Sequence, residues 1–413
     1  MNRFLSILQI SILISLLFSC SRKTVPVEST GDKSLPHTSL HKGYRGSEPV
    51  ITGDLRTDLY MPLLKGRSVA VVANQTSLAG KTQLVDTLVS LGISLRVIFA
   101  PEHGFRNLAD AGETIADGRD SRTGIKVISL YGSHNKPTKN DLDGIDIVIF
   151  DIQDVGTRFY TYISTLTLVM ESCAEEGIKC LVLDRPDPNG FYVDGNILDT
   201  AYRSFVGMHP VPVVHGMTVG EYAEMVNGEH WLKGGLRCDL TVIPCKNYDH
   251  SRYYELAVRP SPNLPNQNSI WLYPTLCFFE GTSLSCGRGT AFPFQVYGSP
   301  DMPDKGFSFT PRSGPGSKNP LYLDKVCYGT DLRDATDRKL VPAGKLKIQW
   351  IIDAYRAFPD KSRFFNSYFD TLAGGTLLRE QIEKGMSEDE IRSTWAAGLE
   401  RFRKIREKYL LYR

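Results

Sequence analysis

Ile145-Asp146-Ile147-Val148-Ile149-Phe150-Asp151 is the stretch that decides the fold of this 413-residue chain. Its apolar, largely β-branched residues run on without the polar alternation of a half-exposed strand, so both faces must be covered. Four further runs share this character: Ser68-Val69-Ala70-Val71-Val72-Ala73, Leu95-Arg96-Val97-Ile98-Phe99-Ala100, residues 126–131, and Cys180-Leu181-Val182-Leu183-Asp184. Helical patterns fall between them at residues 81–91 and 160–176. Strands covered on both faces and alternating with helices imply a parallel sheet with crossover helices, hence a Rossmann-like α/β domain.

Each strand runs into polar residues at its carboxyl end. Ala73 leads to Asn74-Gln75-Thr76, Ala100 to Pro101-Glu102-His103-Gly104, Phe150 to Asp151-Ile152-Gln153-Asp154, and Leu183 to Asp184-Arg185-Pro186. Open parallel sheets bind ligands in the crevice beyond those ends, so the four clusters are expected to converge on one site. The patterns GxGxxG, GxxxxGK[ST] and GxSxG are missing. That argues against a nucleotide site and against a serine-elbow hydrolase.

Beyond the rigid connector Pro260-Ser261-Pro262-Asn263-Leu264-Pro265 the character changes. A Gly- and aromatic-rich segment at 279–294 precedes helical patterns at 345–358, 376–384 and 389–410. The last is opened by the capping-box spacing of Ser387 and Glu390. Two domains are expected: a Rossmann-like one over residues 55–265 and a smaller α+β one over 266–413.

The amino-terminal residues read as an address. Asn2-Arg3, an apolar run at 4–18 and Cys20 at its end resemble a bacterial lipoprotein signal. Residues 1–19 are then a signal peptide and Cys20 the lipidated residue. An ordinary signal peptide or an uncleaved anchor competes with that reading. No segment reaches the ~20 apolar residues of a spanning helix, so the membrane is met through the lipid alone. Residues 20–54, rich in Ser, Thr, Pro and Gly, read as a flexible tether. Ser21-Arg22-Lys23 lacks acidic residues, which favours a cell-envelope protein on the periplasmic side of the outer membrane. A net charge of +2 argues against nucleic acid as a partner. Eight cysteines show no CxxC or Cys/His metal spacing, and no metal or other cofactor is expected. Cys238 with Cys245, or Cys277 with Cys286, are conceivable disulfides with no assigned pairing.

The motifs together resemble a known family. Val72-Ala73-Asn74-Gln75-Thr76, Pro101-Glu102-His103-Gly104-Phe105, the string from Asp151-Ile152-Gln153-Asp154 through Val155-Gly156-Thr157-Arg158-Phe159-Tyr160-Thr161-Tyr162, and Asp184-Arg185-Pro186 are similar to the exo-β-N-acetylmuramidases, once known only as a domain of unknown function. His215-Gly216-Met217-Thr218, Phe279-Glu280-Gly281-Thr282 and Gly287-Arg288-Gly289-Thr290 continue the likeness to the carboxyl end. Asp187-Pro188-Asn189-Gly190 departs from the family's usual Asn-Pro form. The resemblance implies a glycosidase that releases terminal N-acetylmuramic acid from the non-reducing end of peptidoglycan fragments, with its site between a Rossmann-like domain and a smaller one.

Glycoside cleavage needs an acid for the leaving oxygen and a second group for the cation-like centre. Glu102, at a strand end, is the expected acid; capping a helix or pairing with an arginine is its alternative. Asp151 and Asp154 are the expected second carboxylates, ahead of Glu280. Arg158, Arg185 and Arg288 are candidates for the lactyl carboxylate of the sugar, because guanidinium binds carboxylate through two parallel hydrogen bonds. Structural ion pairs with the neighbouring aspartates are the competing role. Tyr160 and Tyr162 are candidate wall residues, Asn74 and Gln75 candidate partners for hydroxyl or acetamido groups, and His103 a candidate substrate contact. A muropeptide-binding lipoprotein without catalysis is the alternative function, since one crevice serves either.

Overall fold

Successive residues of the central strands point to opposite faces of the sheet, and both faces are dry. The computed structural model describes residues 48–102, 104–106, 117–335 and 344–413. α1 (Thr57–Leu64) leads into β1 (Ser68–Ala73), and a small hairpin, β2 (Leu78–Ala79) and β3 (Thr82–Gln83), precedes α2 (Leu84–Ser90) and β4 (Ser94–Ala100). β5 (Gly118–Arg119), β6 (Lys126–Ser129), β7 (Ile147–Asp151), α3 (Tyr162–Glu176), β8 (Lys179–Leu183), α4 (Val219–Gly228) and β9 (Leu240–Ile243) follow.

Seven of these strands form one sheet in the order β5-β6-β4-β1-β7-β8-β9, parallel throughout except for the edge strand β5. Without β5, the parallel strands run third, second, first, fourth, fifth, sixth in chain order, and the order reverses between β1 and β7. This is the Rossmann arrangement, a fold whose ligands commonly bind beyond the strand carboxyl ends near such a reversal. Val69, Val71, Ala73, Ile147 and Ile149 face α1 and α2, which cover them with Tyr60, Leu64, Leu84, Val85 and Leu88. Ala70, Val72, Val148 and Phe150 face the opposite layer, with Leu166, Val169 and Met170 of α3. The unbroken apolar runs thus conceal a period of two, each half serving its own layer.

The remaining chain supplies α5 (Gln267–Leu276), β10 (Val296–Ser299), β11 (Ser308–Phe309), β12 (Cys327–Asp331), α6 (Ile348–Ala357), α7 (Ser367–Ala373), α8 (Leu377–Glu383) and α9 (Glu388–Glu407). Its antiparallel sheet has the order β10-β12-β11. Phe278, Phe279, Phe369, Leu399 and Phe402 belong to the same apolar core as Val72 and Phe150, and the described residues fall in one compact unit. Ser387 and Glu390 form both halves of the capping box that opens α9.

Three features depart from the sequence reading. α1, the short β2, β3 and β5, α4, β9, α5, the antiparallel β10–β12 and α7 are additional to the sequence reading; β9 has only four residues, and α5 carries Pro274 inside it. The expected tether also ends earlier than residue 54. Ile51 pairs with Lys246, the Gly53 amide donates to the Asp184 carbonyl at 2.8 Å, and Asp54 is fully buried. Cys173, Cys180, Cys238, Cys245, Cys277, Cys286 and Cys327 are all free and buried, so neither conceivable disulfide is formed. Cys20, the expected signal peptide and most of the expected tether lie outside the described residues.

Candidate active site

The turns beyond β1, β4, β7 and β8 do meet, but they divide into a buried support and an open wall. In the support, Asn74 Oδ1 accepts from the Thr76 amide at 2.8 Å and from its hydroxyl at 2.6 Å, a turn closed on itself. Thr76 Oγ1 in turn accepts from the Gln153 amide at 3.0 Å. Gln75 Nε2 donates to the Pro260 carbonyl at 2.9 Å, tying the first turn to the proline-rich connector.

Asp151 and Arg185 also belong to the support. The guanidinium donates to both oxygens of Asp151 at 2.7 and 2.9 Å, with Asp54 3.6 Å away, and all three side chains are buried. Burial pushes the Asp151 carboxyl up to about 6, with Arg185 pulling the other way. Asp154 is buried behind the turn as well. Its Oδ2 accepts from the Gly156 amide at 2.7 Å and its Oδ1 has no hydrogen-bond partner among the described residues. Burial raises it to about 7, against the backbone hydrogen bonds that favour the anion. In the departing loop, Asp187 accepts from the Asn189 amide at 2.8 Å, and Asn189 Nδ2 donates to the Val155 carbonyl at 2.9 Å. A Cβ on Gly156, which has φ +70°, would overlap the Asp187 carboxylate. The two turns are therefore in contact only because this residue has no side chain.

Arg158 is a bolt between distant parts of the chain. Its Nη1 donates to the Asn196 and Val211 carbonyls at 2.8 and 2.9 Å, and its Nη2 to Leu372 and Ala373 at 3.0 and 2.8 Å. Both terminal nitrogens of that guanidinium are thus spent on carbonyls, and its Nε is buried. Of the three arginines expected to meet a carboxylate, Arg158 and Arg185 are turned away from the cavity because carbonyls and Asp151 already occupy them.

The wall encloses a cavity of about 150 Å³ that includes Glu102, Tyr160, Tyr162, Glu280 and Arg288 of the expected residues. Asn74, Gln75, Asp151, Asp154, Arg158 and Arg185 are not on it, and His103 lies outside the described residues. Glu102 Oε2 accepts from Thr161 Oγ1 at 2.9 Å. Tyr131 lines the same cavity; burial, then the Glu102 charge, pushes its phenol up to about 12. Tyr160 donates to the Pro260 carbonyl at 3.0 Å and packs edge-on against Tyr162, ring centroids 4.9 Å apart. Glu280 comes from the 3-10 turn Cys277–Gly281 and accepts from Arg288 Nε at 2.5 Å. The Arg288 guanidinium lies over the Phe294 ring, 5.0 Å from its centroid. The pair with Glu280 keeps the arginine firmly protonated despite burial.

Tyr131, Ser261, Asn263 and Tyr368 also line the cavity and were not singled out from sequence. Tyr131 stands two residues past β6, where the strand-end rule points; the others have no such marker. The wall thus unites two carboxylates, one cation and several phenols from opposite halves of the chain, an arrangement suited to acid-assisted cleavage beside an anionic group. Among the described residues, no cluster of three or more His, Cys, Asp or Glu is arranged to hold a metal.

Comparison with known proteins gives two family matches. Residues 69–268 match the model described as exo-β-N-acetylmuramidase NamZ, N-terminal, and residues 271–412 its C-terminal counterpart. A peptidoglycan β-N-acetylmuramidase NamZ of Bacillus subtilis (strain 168) is 37% identical over 380 residues, covering 86% of this chain and 89% of that protein. This chain is also similar to two crystal structures of DUF1343 family proteins from Bacteroides fragilis NCTC 9343. One is 48% identical with a TM-score of 0.83, covering 89% of this chain and 99% of the other. The second is 27% identical with a TM-score of 0.72, covering 88% and 99%.

Proposed function

We propose, since this chain belongs to the exo-β-N-acetylmuramidase NamZ family, that it is a glycoside hydrolase of peptidoglycan fragments, releasing terminal N-acetylmuramic acid from their non-reducing ends. The observation that carries this reading is the placing of Glu102 and Glu280 on one cavity wall with Arg288 beside them. Glu102 is the general acid: it gives its proton to the glycosidic oxygen as the bond to the anomeric carbon breaks. Thr161 Oγ1, at 2.9 Å, fixes the direction of that carboxyl. Glu280, oriented by Arg288, is the second carboxylate and faces the positive charge that develops on the sugar. Water supplies the hydroxyl of the released sugar, and its other proton restores Glu102.

Asp151 and Asp154 act in this scheme as supports. The first is neutralised by Arg185 and the second is buried behind its own turn. Arg288 still has its Nη nitrogens for the lactyl carboxylate, which a guanidinium binds in two parallel hydrogen bonds. A cavity of about 150 Å³, below the roughly 300 Å³ at which drug-sized ligand pockets begin, suits one terminal sugar rather than a run of them. The Cys20 lipid holds the enzyme in the envelope, on the periplasmic face of the outer membrane. No helix among the described residues is long and apolar enough to cross a membrane.

Replacing Glu102→Gln tests the assignment. Release of N-acetylmuramic acid from a chromogenic glycoside is expected to stop while the thermal melt stays nearly unchanged. Continued turnover removes Glu102 from the role, and wild-type binding without any hydrolysis replaces the enzyme with a sugar-binding protein.

A further inference from the structure

Tyr368 sits in the first turn of α7 and borders the cavity. Of the four other phenols that line it, Tyr160 is committed to the Pro260 carbonyl at 3.0 Å and Tyr162 to the Glu102 carbonyl at 3.4 Å, while Tyr273 is buried. The Tyr368 hydroxyl has no hydrogen-bond partner among the described residues. The residue is 40% exposed, whereas Tyr160 and Tyr162 are buried, so it stands at the mouth of the cavity. It shares the cavity lining with both acids, Glu102 and Glu280, and burial, with Cys277, Glu280 and Glu102 nearby, pushes its phenol up.

Its position is tied to Glu280. The Asn366 side chain accepts from the Tyr368 amide at 2.9 Å, and the Asn366 amide donates to the Gly281 carbonyl at 3.0 Å. Gly281 lies so close to the Phe369 backbone that a Cβ there would run into it. The turn bearing Glu280 and the turn bearing Tyr368 are therefore one rigid piece. An oriented, unspent donor at the rim of a small polar cavity is the kind of group that fixes a ligand's orientation.

We infer that Tyr368 is a substrate-contacting residue, its ring forming the outer wall against the sugar and its hydroxyl donating to a sugar oxygen. The inference rests on the glycosidase reading for its ligand class, a pyranose bearing hydroxyl and acetamido oxygens. Tyr368→Phe removes the donor and keeps the wall; Tyr368→Leu removes both. With a chromogenic N-acetylmuramide, Tyr368→Phe is expected to lower kcat/KM about tenfold, the scale of one lost hydrogen bond. Tyr368→Leu is expected to lower it further, with the melts of both variants unchanged.

Wild-type kinetics in Tyr368→Phe overturn the inference and leave the glycosidase standing. If the wild type binds N-acetylmuramic acid by calorimetry but does not turn over, the glycosidase reading falls. The inference is then decided by affinity: a roughly tenfold weaker Tyr368→Phe supports it and an equal one overturns it. A wild type that neither binds nor hydrolyses overturns both.

Discussion

Tyr412 donates its hydroxyl to Asp184 Oδ2 at 2.6 Å and accepts from the Cys245 amide at 2.7 Å. The last turns of the chain thereby close the carboxyl end of β8, where Asp184 also accepts from Thr218 Oγ1 and from the Gly220 amide at 2.7 Å each. Tyr412→Phe leaves a buried amide and one carboxylate oxygen each short of a partner. A loss of about 1–3 kcal/mol is expected, read as a lower urea midpoint, with turnover per folded molecule unchanged. A variant as stable as wild type shows the closure to be dispensable.

Arg158 is expected to be a stability residue and not a specificity residue. Arg158→Leu strands four carbonyls, two of them in α7. The cost should exceed about 3 kcal/mol, since each orphaned buried group costs roughly 1–3 kcal/mol. Denaturant unfolding measures it. A well-folded variant with altered sugar preference contradicts the assignment.

Arg288→Gln separates recognition from support. The loss of Arg288 disturbs Glu280 and should slow cleavage of any sugar. Loss of the lactyl contact should add a penalty confined to N-acetylmuramides. The ratio of kcat/KM between matched N-acetylmuramide and N-acetylglucosaminide is expected to fall by roughly 10–100-fold, the range of a charge-assisted hydrogen bond. A ratio that does not move places the lactyl group elsewhere.

Asp154 carries a pH dependence of stability. Its carboxyl is raised from 3.8 to about 7 by burial, so the folded state holds the proton more tightly than the unfolded state does. Its contribution is fully present below about pH 4 and is lost as pH rises through about 7. Asp154→Asn removes that titration. The urea midpoint of the variant relative to wild type should therefore improve between pH 5 and pH 8, and a gap independent of pH rules out the buried proton.

The central strands were legible because β-branched runs bounded by polar turns have few other readings, and β1 coincides with its expected residues. β9 and α5 were not, since four residues carry little periodicity and Pro274 argues against a helix. At the site, a strand-end residue announces its neighbourhood but not its direction. Glu102 and Asp151 stand in equivalent places, yet one faces the cavity and the other is captured by Arg185, whose partner only the tertiary fold selects. Tyr368 was beyond reach for a different reason. It shares a cavity with Glu102 across more than 260 positions of chain, and no local pattern encodes that sharing.

The Arg158 bolt has a consequence for how the chain acquires its shape during synthesis. Two of its four acceptors, Leu372 and Ala373, leave the ribosome more than 200 residues after Arg158 itself. Contacts of such high order form late, after the loop-closure cost has been met. A nascent chain halted near residue 300 should thus hold a buried-type arginine still half solvated, and remain open to protease where the full-length chain resists. The α/β half is in this respect an unfinished fold awaiting its carboxyl-terminal helices.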